Sequence, residues 1–253
     1  MAIQMTTEVQ GAGDVILFVH GLGGTSNVFS PQVGALSRFF ECIRPDLPGS
    51  GRTGADGAFS LPDVADQLAD LLKSRGVEKA HVVGHSLGTV VCQHLAVKHP
   101  SLVRSLSLIG PLAEPPEAAR GALKDRAAKA RAEGMAGIAD AIVQGGTSAD
   151  TKAHRPEVAA LVREILMRQD AEGYALTCEA LAEVKAADAS AIKCPTLLIT
   201  GDEDGTAPPP RVKALTASIS GAKMQILDRC GHWTTFERPT EVNTALLNFL
   251  MSL

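Results

Sequence analysis

The 253-residue chain predicts an α/β protein, with a mostly parallel sheet of seven or eight strands, helices on both faces, and a block of helices inserted late in the chain. Three observations carry this expectation. Short apolar runs recur, each closed by Gly, Pro or a polar residue, as strands buried on both faces are. Segments with helical spacing and helix-start signals separate them. The alternation stops once, between Pro111 and about Ala191, where Ala-rich charged segments take over and no strand-like run occurs.

The elements follow in order. IQMTTEVQ supplies one N-terminal strand. Six further runs, DVILFVHG, FECIRPDLPG, AHVVGHS, RSLSLIGP, CPTLLITG and KMQILDRCGH, supply the rest, so about seven strands are expected, with right-handed crossovers between the parallel pairs. SPQVGALSRFF reads as a helix with Ser30 as N-cap, Pro31 in its first turn and Val33, Leu36 and Phe40 at helical spacing. SLPDVADQLADLLKSRG places Ser60 three residues before Asp63, carries Val64, Leu68 and Leu71 on one face and stops at Gly76. In the inserted region EPPEAARGALKDRAAKARAEGMAGIADAIVQ and RPEVAALVREILMRQDAEGYALTCEALAEV read as helices, and QGGTSADTKAHRP between them as a hinge or loop.

Composition narrows the function. Hydrophobic residues make up 45% and charged ones 21%, which suits a globular chain with a substantial core. A net charge of -4 with no basic run excludes an electrostatic nucleic-acid or membrane binder and points to a small-molecule partner. MAIQMTTEVQ is not a basic region leading into an apolar core, and no run reaches the roughly 18 apolar residues of a membrane span, so a cytoplasmic location is expected. The five cysteines, Cys42, Cys92, Cys178, Cys194 and Cys230, show no metal-ligand spacing and are expected as reduced thiols, Cys92 as a small core residue. No metal or organic cofactor is expected.

The chemistry centres on VVGHSLGTVV. Ser86 lies between two small residues where an apolar strand gives way to a helix, a position that holds a serine in a strained turn with its hydroxyl above the sheet. The helix that follows offers free N–H groups and the positive end of its dipole to a developing oxyanion. A serine needs a base, and the base an orienting acid. His232, after Gly231 in the last loop, and Asp204, just beyond TLLIT, are the candidates, in the chain order Ser, Asp, His that such an elbow expects. His81, His94, His99 and His154 are expected to be structural or solvated. In FVHGLGGTS, glycines permit a close backbone approach, which assigns an oxyanion hole to the N–H groups of Leu22 and Leu87.

With these residues in place, the chain resembles an α/β-hydrolase. HGLGG, DLPGSGRT, GHSLG, GDEDGTAP and GHW follow that superfamily's pattern in order. The resemblance implies Asp204 rather than Asp202 as the acid, from the GxxDxxxP arrangement. It further implies a triad of Ser86, Asp204 and His232, a core domain of residues 1–110 and 192–253, and a helical cap of residues 111–191. AEGMAGIADAI, VREIL and EGYALTCEAL resemble the caps of 3-oxoadipate enol-lactonases and related esterases. Two features depart from that pattern: VQGGTSADT stands where those caps carry aromatic residues, and the N-terminus is one strand short of the usual eight. The expected activity is serine hydrolysis of a carboxylic ester or lactone through an acyl-enzyme. Amide, carbon–carbon or perhydrolase chemistry, or a slow-turnover ligand receptor, are the alternatives. Ser86 excludes the Asp-nucleophile reactions of haloalkane dehalogenases and epoxide hydrolases. Arg131, Arg163 and Arg168 are candidates for holding a substrate carboxylate, and Trp233 for lining the pocket or packing beneath the histidine loop.

Overall fold

The computed structural model describes residues 4–253. Seven strands form one sheet: β1 (Thr7–Gln10), β2 (Asp14–Val19), β3 (Phe40–Pro45), β4 (Ala80–His85), β5 (Val103–Ile109), β6 (Thr196–Gly201) and β7 (Lys223–Leu227). Their spatial order is β1-β3-β2-β4-β5-β6-β7. Only β1 runs antiparallel, pairing Thr7 with Pro45 and Gln10 with Cys42, while the remaining neighbours are parallel. Each parallel pair needs a crossover, and the helices supply them.

Strand alternation divides the core into two layers. On β2, Leu17 and Val19 face one layer with α2 (Leu61–Ser74) and α3 (Leu87–Lys98). Ile16 and Phe18 face the other, against α1 (Ser30–Leu36) and α11 (Pro239–Leu250), where the Phe18 and Phe29 rings lie 4.9 Å apart. Ser60 caps α2 as expected, accepting from the Asp63 amide at 3.2 Å.

Two local expectations need correction. Ser30 is the first residue of α1 rather than its cap, because a 3₁₀ turn over Ser26–Phe29, itself capped by Thr25, runs straight into the helix. Phe40 does not extend α1; it opens β3, with its Cα in register with Asp14 of β2.

Five helices fill the interval between β5 and β6: α4 (Glu117–Glu133), α5 (Ala136–Gly146), α6 (Ala149–His154), α7 (Pro156–Met167) and α8 (Ala171–Glu183). The expected loop over residues 144–156 is mostly helical, and it is clamped. Gly146 carbonyl accepts from the His232 amide at 2.8 Å. Glu237, wholly buried in α10 (Thr234–Glu237), accepts from the Ser148 amide and the Thr151 hydroxyl, each at 2.8 Å. No helix among the described residues is long and apolar enough to cross a membrane.

Candidate active site

Ser86 occupies the turn between β4 and α3 at φ 53°, ψ −123°. That left-handed backbone is strained for a side chain, and close packing on both sides enforces it. A Cβ on Gly88 would lie 2.1 Å from the Val19 carbonyl oxygen, and one on Gly21 2.7 Å from Ser86 Cβ. Only glycine lets β2, its following loop and the elbow converge this tightly.

The fold brings Ser86, His232 and Asp204 together from three separate loops. His232 Nε2 lies 2.7 Å from Ser86 Oγ, and His232 Nδ1 lies 2.8 Å from Asp204 Oδ2. Asp204 Oδ1 accepts from the amides of Thr206 at 2.9 Å and Ala207 at 2.8 Å. With one oxygen saturated by amides, the other is left to face the imidazole, which sets Nδ1–H and leaves Nε2 as acceptor for the serine hydroxyl. Burial opposes the charged form of both groups. Even so, the Asp204 charge and hydrogen bond, with Glu237 farther off, hold the His232 pKa above its ordinary value. Burial likewise opposes ionised Asp204, yet His232 and the two amides keep its carboxyl below the usual range. Asp202 instead accepts from the Cys230 amide at 3.0 Å.

Leu22, half-buried after β2, lines the cavity above Ser86. Leu87 is the first residue of α3, where a helical amide has no intrahelical acceptor. Neither amide has a backbone acceptor in a turn or loop among the described residues. An oxyanion hole requires amides left unpaired in this way.

Two buried histidines and an aspartate support this site and escaped the sequence reading. His85 Nε2 donates to the His232 carbonyl at 2.8 Å, and its ring stands 5.2 Å from that of His232. Burial and the neighbouring His232 lower its pKa to about 3, so it stays neutral. His20 Nδ1 donates to the Gly21 carbonyl and Nε2 accepts from the Leu47 amide, both at 2.9 Å, which ties the glycine loop to the segment after β3. Asp46 completes that tie by accepting from the Ser26 amide at 2.7 Å and the Arg52 side chain at 3.0 Å. Burial works against its charge, but the Ser26 and Arg52 amides and the Arg52 guanidinium keep its carboxyl below the usual range. The His20 and Asp46 signals lay in HGLGG and DLPGSGRT; nothing local marked their partners.

A cavity of about 730 Å³ opens over Ser86 and His232, with Leu22, Leu112, Leu123, Ile138 and Ile142 among its apolar walls. Trp233 borders this cavity and packs 5.7 Å from the His85 ring and 6.4 Å from Phe236. The three arginines singled out from the sequence lie elsewhere. Arg131 is exposed and held by Glu172 at 2.7 Å and by Glu179, while Arg163 pairs with Asp140 at 2.6 Å. Arg168 borders a separate groove beside Arg52 and Gln169. The cations that do line the cavity are Arg126, Lys129 and Arg211. Among the other histidines, His81 reaches the Ser105 hydroxyl at 2.8 Å, His99 reaches Asp66 at 2.7 Å and His94 the Lys185 carbonyl at 3.0 Å. His154 is exposed beside Asp150. Of the five free thiols four are buried, Cys92 completely.

A parallel sheet, a strained serine at a strand-to-helix turn and a buried acid–histidine pair after the last two strands define the class. A family model for the alpha/beta hydrolase fold matches residues 14–239, and the chain belongs to the α/β-hydrolase family. Among solved structures, a thermophilic esterase from Thermogutta terrifontis, with malate bound, superposes with a TM-score of 0.95 at 27% identity, covering 99% of this chain and 94% of its own. The enol-lactonase from Burkholderia xenovorans LB400 has a TM-score of 0.93 at 28% identity, covering 99% of each chain. The (E)-2-((N-methylformamido)methylene)succinate hydrolase of Acinetobacter baylyi is 24% identical over 253 residues, 95% of this chain and 92% of its own. RutD proteins of Azorhizobium caulinodans and Yersinia enterocolitica match at 40% and 37% identity, over only 39% and 40% of their length.

Proposed function

We propose that the protein is a serine hydrolase of carboxylic esters or lactones, with Ser86 as nucleophile, His232 as general base and acid, and Asp204 as the group that orients it. The observation behind this reading is the unbroken hydrogen-bonded chain from Ser86 Oγ through His232 to Asp204, at 2.7 and 2.8 Å. His232 takes the hydroxyl proton as Ser86 attacks the carbonyl, and returns it to the leaving alcohol. Water then enters, His232 removes its proton, and the acyl-enzyme is hydrolysed. The Leu22 and Leu87 amides receive the oxyanion in both tetrahedral steps, each typically worth about 3 kcal/mol of barrier. The similarity at 27–28% identity to an esterase and an enol-lactonase supports this bond class.

Amide cleavage is the second reading. The same geometry delivers a proton to a leaving amine, and the Acinetobacter relative is named for hydrolysis of an N-methylformamido compound. A panel of p-nitrophenyl esters, neutral and carboxylated lactones and matched amides tests both readings, run on the wild type and on Ser86→Ala. Ester or lactone turnover that disappears in Ser86→Ala supports the first reading, and amide turnover above ester turnover supports the second. Activity surviving in Ser86→Ala overturns both.

A further inference from the structure

α4 carries five cationic side chains, and four of them meet a carboxylate within 4 Å: Arg120 with Glu114, Lys124 with Glu183, Lys129 with Glu133 and Arg131 with Glu172. Arg126 is the exception among the described residues, although it is half-buried and lines the cavity over Ser86. Beside it stands the almost wholly buried Tyr174 hydroxyl, which has both the Arg126 guanidinium and the Cys178 thiol among its polar neighbours. From the core, Arg211 in the first turn of α9 (Pro209–Ser218) borders the same cavity, again with no carboxylate within 4 Å. Asp125 is the one acidic side chain on the wall, against Arg126, Lys129 and Arg211.

A half-buried guanidinium above apolar walls lacks both full hydration and a counter-charge. A planar anion entering the cavity supplies both and can accept two parallel N–H bonds. We propose that this cavity selects substrates that carry a carboxylate remote from the scissile carbonyl, namely half-esters of dicarboxylic acids, with the Arg126 guanidinium as the anion's hydrogen-bonding partner. Arg211 adds attraction from the core side, and the Tyr174 hydroxyl gives the guanidinium a polar neighbour. This deepens the hydrolase reading and rests on it for the position of the reacting carbonyl.

The test uses a matched pair, monomethyl adipate and dimethyl adipate, with hydrolysis followed by proton release in wild type, Arg126→Met, Arg126→Lys and the control Arg163→Met. Wild type should prefer the monoester. Arg126→Met should raise KM for the monoester roughly ten- to a hundredfold, the range typical of charge-assisted hydrogen bonds. It should leave the diester within about twofold, Arg126→Lys should recover part of the loss, and Arg163→Met should change neither. A second readout does not depend on turnover. Calorimetric titration of Ser86→Ala with adipate should show binding that weakens with added salt and by a similar factor once Arg126→Met is introduced. Equal KM changes for both esters, or no adipate binding to Ser86→Ala, overturns the subsite. Hydrolysis that persists in Ser86→Ala overturns the hydrolase reading instead, and the calorimetry still decides the subsite.

Discussion

Gly110, at the end of β5, backs directly onto the proposed catalytic pair, and Gly110→Ala tests how finely that pair is positioned. Its φ is +56°, so alanine there carries roughly 1 to 2 kcal/mol of backbone strain. The added Cβ would also lie 3.1 Å from His232 Cε1 and Nδ1 and 3.3 Å from Asp204 Oδ2. These contacts are a few tenths of an ångström too close, and the ring has little room to yield. Its two nitrogens are already bonded at 2.7 and 2.8 Å, and the His232 amide is fixed to Gly146 at 2.8 Å. Displacement of about 1 Å near reacting groups can cost a hundredfold in rate, so a shift of several tenths should lower kcat roughly tenfold. The strain should lower Tm by about 2 to 8 °C, from 2 to 4 °C per kcal/mol at this chain length. Calorimetric melting and saturation kinetics on a short p-nitrophenyl ester measure both. If Tm falls as expected but kcat stays at the wild-type value, His232 tolerates displacement and the argument from close contact is wrong.

Two further perturbations follow from the same geometry. A protonated His232 cannot accept from Ser86, so activity should rise with pH through a midpoint above 6.5, the side to which Asp204 holds it. In Asp204→Asn the amides of Thr206 and Ala207 should retain the side-chain oxygen and turn its NH₂ toward Nδ1, forcing the wrong tautomer. The rate should drop on the order of 10⁴-fold, and with burial opposed only by the more distant Glu237 charge, the acid midpoint should move down. An unmoved midpoint in pH–rate profiles would remove Asp204 as its cause. Leu68, wholly buried on α2 against α3, should cost about 2 to 5 kcal/mol when changed to alanine, without altering KM, as urea unfolding and kinetics will show.

Much of the fold was legible because its signals are local. Six apolar runs each became one of β2 to β7; central strands such as β4 and β6, buried on both faces, advertise themselves in consecutive residues. The elbow was legible for a similar reason, as close approach of Val19 to Gly88 leaves glycine as the one residue that fits. The start of α1 was misread because Thr25, five residues upstream, caps a 3₁₀ turn that the helix continues. Residues 144–156 were misread as a loop because their polar content resembles a linker's, while the buried Glu237 that anchors them lies some 86 to 89 residues away.

The chain by itself determined the order of elements, the candidate nucleophile and which loops carry the proposed base and acid, because period-two and period-3.6 patterns and glycine turns are written in neighbouring residues. Only the tertiary structure decided which arginines face the cavity. α4 is rich in alanine and charged on most sides, so its sequence has too little contrast to tell the face of Arg126 from that of Arg131. Glu172 and Glu179, some 41 and 48 residues further on, claim Arg131, and no carboxylate among the described residues reaches Arg126. His85, likewise, meets the His232 carbonyl across 147 residues. Pairings at that separation depend on how the layers pack, a property of the folded whole that no short stretch of sequence contains.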